Sequence, residues 1–341
     1  MKKRVLIYRL SSMGDVAMLA SVLKEACKQN LNHEFIIVSH HFFEAFFLEI
    51  ENVLFHGFYP KSKHKGMKGL LKLHRELQVY RADKIADLHG NIRTKILGML
   101  SSLNGHSYTK TIDKGRKAKK EIIKTKRLKQ LKPTVERYAD VFRALGLKAE
   151  LSHQLPKVNM RTPSQYSAIV NHTKYNIGIS PFAQWKYKMW PLSKMKELIN
   201  QLASYDSTAL FIFGGGEKEK EMADDLARKH KNVVNTIGTL SLKEELELIS
   251  NIDLMLSMDS SGMHMASLVG VRCISLWGTT HPFLGFLGYG QSINDCIQVN
   301  HPNRPCSVYG NKSCLCEGLE AIDLIKPQIV LQKVNAALYE I

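Results

Sequence analysis

The stretch YRLSSMGDVAMLASVLKEACKQ, residues 8–29, decides how the chain is read. A short apolar run, Val5 to Tyr8, leads into Ser11, Ser12, Met13, Gly14 and Asp15, and apolar residues then recur at helical spacing. Strand, tight turn and helix in that order suit a phosphate-binding loop, yet no Gly-x-Gly-x-x-Gly follows the strand. A carboxylate stands where a phosphate would need backbone N–H groups. Asp15 has two readings: a stabilising charge in the first turn of a helix, or a base that takes a proton from a hydroxyl nucleophile. The local sequence leaves both open.

The same strand–helix alternation continues outward. Strands are expected at residues 4–8, 33–39, 52–58, 83–88 and 106–111, with helices at 16–29, 41–50, 67–80, 91–103 and 134–146. Proline, serine and threonine gather at 156–164 without a period, which marks a boundary. A second alternation follows. Strands are expected at 175–180, 208–216, 231–238, 252–259 and 272–278, helices at 193–204, 217–230, 241–250 and 263–269, and an amphipathic helix at the end. These patterns imply an α/β protein with two Rossmann-like domains, parallel sheets and a cleft between them. The domains are expected at 1–160 and 161–322, with 323–341 as a terminal helix.

A chain of 341 residues suits two domains, and 44% hydrophobic residues is ordinary for a globular protein. No apolar run approaches the roughly 18 residues of a membrane span. Arg9 interrupts the first apolar run, which argues against a secretory signal. Six cysteines, at 27, 273, 296, 306, 314 and 316, are too sparse for a disulfide scaffold and read as free thiols in a reducing cytoplasm. Their spacing matches no C-x2-C knuckle, so no metal is expected.

The net charge is +17, and residues 1–170 hold 32 Lys and Arg against 14 Asp and Glu. The remainder is nearly balanced, with 16 against 17. Two clusters carry much of the excess: KSKHKGMK at 61–68 and KGRKAKKEIIKTKRLKQLK at 114–132. Such a field draws an anionic partner: nucleic acid, an acidic membrane surface, or a phosphorylated or carboxylated substrate. A solvated lysine-rich face accounts for either cluster taken alone.

In open α/β sheets, ligands bind beyond the carboxyl ends of the strands. Four stretches fall there: SSMGD (11–15), SPFAQWKYKMWP (180–191), GGGE (214–217) and MDSSGMH (258–264). In the last, Asp259, Ser260, Ser261 and Gly262 leave a strand and His264 enters a helix. Small residues at a helix N-terminus suit an anion such as a diphosphate, and equally suit a capped helix start. Lys188 beside Trp190 reads as a cation for a leaving phosphate or as an exposed loop lysine. Gly215 either approaches a nucleotide or turns the chain, and Glu217 either accepts from a ribose or is a first-turn charge. No Asp-x-Asp pair occurs, which weighs against a carboxylate-held divalent cation.

Together these points resemble glycosyltransferase family 9, the heptosyltransferases of lipopolysaccharide core assembly. SSMGDV (11–16) is similar to the family's opening turn, and DLHGNIR (87–93) to its Asp-Leu-Gln-Gly-Asn-x-Arg, with His89 in place of Gln. SPFAQWKYKMWP resembles its Lys-x-Trp-Pro loop. MDSSGMHMASLVGVRCISLWGTTHP (258–282) resembles its Asp-Ser-Gly-x-Met-His-x-Ala signature, with one extra serine before Gly262. The resemblance implies a GT-B fold and an inverting, metal-independent transferase with no cofactor, using an ADP-sugar donor.

By position, Asp15 resembles the general base and Lys188 the residue that offsets diphosphate charge. Ser180, Gln184, Lys188, Gly215, Glu217, Asp259, Ser260, Ser261, Gly262 and His264 are implied on the donor side. Ser12, Gly14, His89, Asn91 and Arg93, with Arg116, Lys117, Lys119 and Lys120, are implied on the acceptor side. The terminal helix is expected to cross back to the first domain. PCSVYGNKSC (305–314) resembles a cysteine-bearing insertion of some members.

The charge then has a purpose. An acidic glycolipid acceptor at the cytoplasmic face of the inner membrane, met peripherally by a cytoplasmic enzyme, suits a basic first domain. Three other readings compete: a GT-B transferase of another nucleotide sugar, a nucleic-acid-binding module, and a nicotinamide dehydrogenase. The nucleic-acid reading uses the basic half alone and lacks a recognition element, so no nucleic-acid partner is expected.

Overall fold

The computed structural model describes residues 2–103, 108–156 and 158–339. They form two compact units: Met1–Lys114 with Pro133–Ser152, and Gly115–Lys132 with His153–Ile341.

In chain order the first unit holds β1 (Lys3–Tyr8), α1 (Met13–Gln29), β2 (His33–His40), β3 (Val53–Phe58), α2 (Gly66–Leu77), β4 (Lys84–Asp87), α3 (Ile92–Leu103) and β5 (Tyr108–Thr111). Helix α4 (Arg116–Thr125) then belongs to the second unit, and α5 (Thr134–Ala144) to the first. The sheet order is β3-β2-β1-β4-β5, and every pairing is parallel. Val5–Tyr8 and Phe35–Val38 are buried along their whole length, as strands covered by helices on both faces must be. The chain reverses direction of travel between β1 and β4, so the carboxyl ends of those strands form the switch point of the sheet. The expected strand at 106–111 is present from Tyr108; residues 106 and 107 lie outside the described residues. The expected helix at 41–50 is a single 3-10 stretch, His41–Phe46.

The second unit continues with α6 (Ser164–His172), β6 (Tyr175–Ser180), α7 (Leu192–Ala203), β7 (Thr208–Ile212), α8 (Glu217–Ala227), β8 (Val233–Asn235), α9 (Leu242–Ile249), β9 (Leu254–Met258), α10 (Ser261–Leu268) and β10 (Cys273–Trp277). It ends with β11 (Cys296–Gln298), the hairpin of β12 (Leu315–Cys316) and β13 (Leu319–Glu320), and α11 (Pro327–Tyr339). Its main sheet runs β11-β10-β9-β6-β7-β8, again all parallel, with the switch point between β6 and β9. Ile177, Ile179, Leu210, Ile212, Leu254, Leu256, Ile274 and Leu276 form the centre of its core.

Three placements differ from the sequence expectation. The chain changes unit at 152/153 rather than 160/161. Asn30 donates to the Lys148 carbonyl at 2.7 Å, and Glu25 accepts from the Ser152 backbone N–H at 2.8 Å, which stitches 148–152 to the end of α1. From His153 the chain packs on the second unit, where the His153 N–H donates to the Tyr289 hydroxyl at 3.1 Å. Helix α11, expected to return to the first domain, packs on α7 and β9; Val330, Val334, Ala337 and Leu338 complete the second unit's own core.

The third difference is the basic segment 115–132. Ile122 and Lys119 are buried, the Lys126 ammonium donates to the Pro305 carbonyl at 2.8 Å, and the Leu131 N–H to the Phe283 carbonyl at 2.9 Å. The segment therefore belongs to the second unit. Charge is accordingly shared: 21 Lys and Arg against 13 Asp and Glu in the first unit, +8, and 27 against 18 in the second, +9. The expected concentration of charge in the first domain is corrected by this fold.

Not all the cysteines expected as thiols are free. Cys306 and Cys314 form a disulfide, while Cys27, Cys273, Cys296 and Cys316 are thiols.

Candidate active site

The first unit presents its polar groups at the β1/β4 switch point. β1 stops at Tyr8, and the next residue, Arg9, is only 6% exposed. A buried guanidinium needs acceptors and a countercharge. Nη1 donates to the Leu88 carbonyl at 2.8 Å, Nη2 pairs with the Asp15 carboxylate, and the guanidinium lies 5.8 Å from the centre of the buried Tyr138 ring. Burial opposes the charge of Arg9, but Tyr138 and Asp15 outweigh it and raise its pKa.

Asp15 sits in the first turn of α1. The Ser12 hydroxyl donates to it at 2.7 Å and the Ser12 N–H at 3.5 Å, so the carboxylate also ties down the helix start. The side chain keeps 25% exposure. The two readings of Asp15 are thus compatible: one carboxylate both fixes the turn and faces solvent.

The neighbouring turn after β4 is built on Asp87. Its buried carboxylate accepts from the N–H groups of His89 (3.1 Å) and Gly90 (2.7 Å) and from the Thr94 hydroxyl (3.0 Å). Gly90 has φ +55°, a conformation that favours glycine. Asn91 accepts from the Thr94 N–H at 3.0 Å and so caps α3. His89 is half-buried, hydrogen-bonded to the Ser11 carbonyl, and its Nδ1 has no partner among the described residues. Burial, then Arg9 and Lys114, push its pKa down to about 4, so the ring is neutral at pH 7. Arg93 is exposed.

The second unit gathers its polar groups at the β6/β9 switch point. Ser180, at the end of β6, lies in register with Ser257 of β9. Gly262 lets α10 begin directly against these strands: a Cβ there would stand 2.4 Å from the Ser180 hydroxyl oxygen and 3.0 Å from that of Ser257. Ser260 is 3.4 Å from Ser257, hydroxyl to hydroxyl, and His264 is buried within α10. Asp259, 4% exposed, pairs with the Lys188 ammonium at 2.8 Å and accepts from the Thr280 hydroxyl at 2.7 Å.

Lys188 reaches that position because its loop is anchored by Trp190. That ring is buried and donates to the Ile325 carbonyl at 3.1 Å, while the Trp190 N–H meets the Met258 sulfur at 3.3 Å. Arg304 sets the turn beyond β10. Its buried guanidinium donates to the carbonyls of Gly278 (2.6 Å), Trp277 (3.1 Å) and Thr280 (2.9 Å), and burial lowers its pKa to about 10.

Ser12, Gly14, Asp15, His89 and Asn91 therefore share one pair of turns, and Ser180, Lys188, Asp259, Ser260, Ser261, Gly262 and His264 share another. Gln184 and Gly215 are exposed, and the Glu217 side chain is 78% exposed at the start of α8. Arg116, Lys117 and Lys120 are exposed on α4, in the second unit rather than the first. Lys119 is buried with its ammonium 3.8 Å over the Phe286 ring, which removes it from any surface contact with an acceptor. Sequence reasoning passed over Arg9, Thr280 and Arg304. For Arg9 a signal existed: a cation directly after a buried strand needs a specific anion.

Comparison with known proteins gives the family and the fold. The profile described as glycosyltransferase family 9 (heptosyltransferase) matches residues 70–315. The chain is 24% identical to the lipopolysaccharide core heptosyltransferase OpsX of Haemophilus influenzae over 288 residues, 82% of this chain and 80% of that one. It is 24% identical to lipooligosaccharide heptosyltransferase 2 of Campylobacter jejuni over 196 residues, 56% and 59% of the two chains. Among solved structures it is similar to the family 9 glycosyl transferase of Veillonella parvula, with TM-score 0.74, 17% identity and 99% and 98% of the two chains covered. It is also similar to E. coli heptosyltransferase WaaC with ADP, with TM-score 0.67, 19% identity and 98% and 99% covered. These structural likenesses establish the GT-B fold, with its two parallel-sheet α/β domains. With the profile spanning most of its length, the chain belongs to glycosyltransferase family 9 and is a heptosyl-transferring enzyme.

Proposed function

We propose that this enzyme moves a heptose from ADP-heptose to an acidic sugar of the lipopolysaccharide core, with inversion and without a metal ion. The observation that carries the reading is the Asp15 carboxylate, part-exposed and held by the buried Arg9 at the β1/β4 switch point. In a single displacement, the acceptor hydroxyl oxygen bonds to the anomeric carbon of the heptose as its proton passes to Asp15. The bond from that carbon to the β-phosphate oxygen breaks, and ADP leaves with the electron pair. One displacement from the opposite face inverts the anomeric centre.

The leaving diphosphate gains charge, which Lys188 and the N-terminus of α10 are suited to receive. These groups, with the lack of an Asp-x-Asp pair, support a reaction that needs no divalent cation. Asp259 carries the wrong sign to touch a phosphate. It is suited to hold Lys188 in place and to accept from a sugar hydroxyl.

The relatives support the donor and acceptor: E. coli heptosyltransferase WaaC has been solved with ADP and with ADP-2-deoxy-2-fluoro heptose, and OpsX is named for the lipopolysaccharide core. A net charge of +17 favours an anionic acceptor. No helix among the described residues is long and apolar enough to cross a membrane; the proposed contact with the cytoplasmic membrane face is a peripheral one, drawn by the basic surface. The test is Asp15→Asn in a direct transfer assay with ADP-heptose and a core acceptor. Turnover should fall by at least about a hundredfold, the range for loss of a general base, while ADP affinity holds. Turnover near that of the unaltered enzyme rejects the base.

A further inference from the structure

The cysteine-bearing insertion, residues 305–314, has no part in the reaction as described, yet it lies directly on the donor-side lysine. Gly310 has φ +93°, and a Cβ built there would stand 2.1 Å from Lys188 Cδ and 2.5 Å from Cγ. The peptide backbone at Gly310 therefore packs against the methylene stem of Lys188 at a distance no other residue allows.

The loop is fixed at both ends and inside. The Cys306–Cys314 disulfide closes it. The buried Ser307 hydroxyl accepts from the N–H groups of Gly310 (2.9 Å) and Asn311 (3.2 Å), which shapes the tip. The Cys306 and Ser307 N–H groups donate to the Thr279 carbonyl at 2.9 and 3.2 Å, and the Thr279 hydroxyl donates to the Lys312 carbonyl at 2.7 Å. The next residue, Thr280, holds Asp259, which holds the Lys188 ammonium. One loop thus grips both the stem of the lysine and, through Thr279 and Thr280, the acid that takes its charge.

We propose that the Cys306–Cys314 loop is a strap that positions Lys188, with Gly310 as the positioning residue that presses the lysine stem and sets its ammonium beside Asp259. Its catalytic consequence rests on the reading of Lys188 as the cation for the donor diphosphate. A long lysine side chain loses rotamer entropy when ordered. A strap that orders it before the donor arrives removes that cost from donor binding and from the displacement.

The test separates the strap from the role of the lysine. Acylation of individual lysines by an amine-reactive ester, read by mass spectrometry, reports the strap alone. Gly310→Ala and the paired Cys306→Ser, Cys314→Ser variant should each raise the labelling of Lys188 relative to Lys186 by about tenfold. Labelling that does not change overturns the strap. ADP affinity and transfer kinetics are then measured for Gly310→Ala with and without Lys188→Ala. With the lysine present, kcat and ADP affinity should fall by about tenfold; with it absent, Gly310→Ala should change neither by more than about twofold, because the backbone strain of alanine at this φ is common to both backgrounds and the strap acts on ADP and turnover only through the lysine. Equal losses in both backgrounds overturn Gly310 as a positioning residue. Lys188→Ala with ordinary ADP binding and turnover, alongside raised labelling in the loop variants, instead rejects the diphosphate role and leaves the strap standing as a structural fact. The cysteine variant adds no atom at position 310, so its folded state keeps the test open even where Gly310→Ala is poorly stable.

Discussion

Arg9 and Asp15 are joined by a guanidinium–carboxylate pair, and the same guanidinium reaches the Leu88 carbonyl at 2.8 Å. One side chain therefore locks the turn after β1 to the turn after β4. Replacing it with methionine keeps the bulk and removes every donor. The Leu88 carbonyl is then buried without this donor and the carboxylate loses its countercharge. Arg9→Met should cost about 2–4 kcal/mol of stability, the range for stripping one partner from a buried charged hydrogen-bond system. It should also lower kcat by about 10–100-fold, since the carboxylate is no longer aimed. Arg9→Lys should recover part of the stability and less of the rate, because an ammonium cannot serve both acceptors with the planar fork. Urea unfolding and transfer kinetics on the three proteins decide it; a methionine variant with ordinary kcat and unfolding midpoint removes Arg9 from the site.

Asp259 and Lys188 make a prediction with an unexpected sign. Asp259 is nearly buried and lies 2.8 Å from the ammonium that is proposed to meet the diphosphate. Asp259→Asn removes a negative charge from the anion's surroundings and releases Lys188 from its partner. ADP should bind about three- to tenfold more tightly, a gain of about 1 kcal/mol, which is modest for a close charge. Turnover should fall, because the lysine is no longer held where the leaving group needs it. Calorimetric titration with ADP checks the sign. Weaker binding by the asparagine variant means that Asp259 contacts the nucleotide through donors bound to it, or that its loss disorders the turn.

Most of the strand–helix alternation was legible because parallel strands buried on both faces read as apolar runs: β1, β2 and β7 hold such runs, and β9 and β10 are broken only by the buried Ser257 and Ser275. The site turns were legible because they follow those strands. Helix α4 was not: in KGRKAKKEIIKTKRLKQLK the buried face consists of Lys119 and Ile122, and a lysine in a core position is invisible to a hydrophobic pattern. Its amine lies 3.8 Å from the centre of the Phe286 ring, more than 160 positions away in the chain. The placement of α11 depended likewise on which apolar surface its Val330 and Val334 would meet, which no local signal states. Gly310 reads as a turn glycine until the stem of Lys188 is seen against it. What escaped the sequence was long-range pairing, whose energy resides in partners rather than in periods.

His89 should give stability a pH dependence of known sign. Burial, Arg9 and Lys114 lower its pKa to about 4, with Asp15 and the Ser11 carbonyl opposing, whereas an unperturbed histidine titrates at 6.5. Between those values the unfolded chain holds the proton and the folded chain does not. The stabilising contribution of neutral His89 is therefore full above pH 6.5 and is lost as pH falls towards 4. Other groups titrate nearby: His281, also lowered to about 4, adds to the trend, and Glu245, raised to about 7, runs against it. The difference in unfolding free energy between the wild-type protein and His89→Gln isolates the residue. That difference should move in the wild type's disfavour as pH drops from 7 to 4.5; a flat difference means that folding does not lower the pKa of His89.

Gly262 and Ser180 should behave as a size-matched pair. A Cβ at Gly262 would stand 2.4 Å from the hydroxyl oxygen of Ser180 and 2.5 Å from its Cβ, closer than atoms can approach. Both residues are buried, and both lie between β6 and the first turn of α10, so neither can swing into solvent. Gly262→Ala should cost about 1–3 kcal/mol, the usual range for overpacking. Ser180→Gly alone removes a small side chain and adds backbone freedom, with a cost of about 1 kcal/mol. In the double variant the alanine methyl occupies the space the serine left. Its destabilisation should therefore fall below the sum of the two single costs by at least about 1 kcal/mol, a coupling that distant sites do not show. Additive losses in urea unfolding mean that α10 shifts away from β6 rather than colliding with it, and then the close seat of the helix N-terminus on the strand ends is not what fixes the turn after β9.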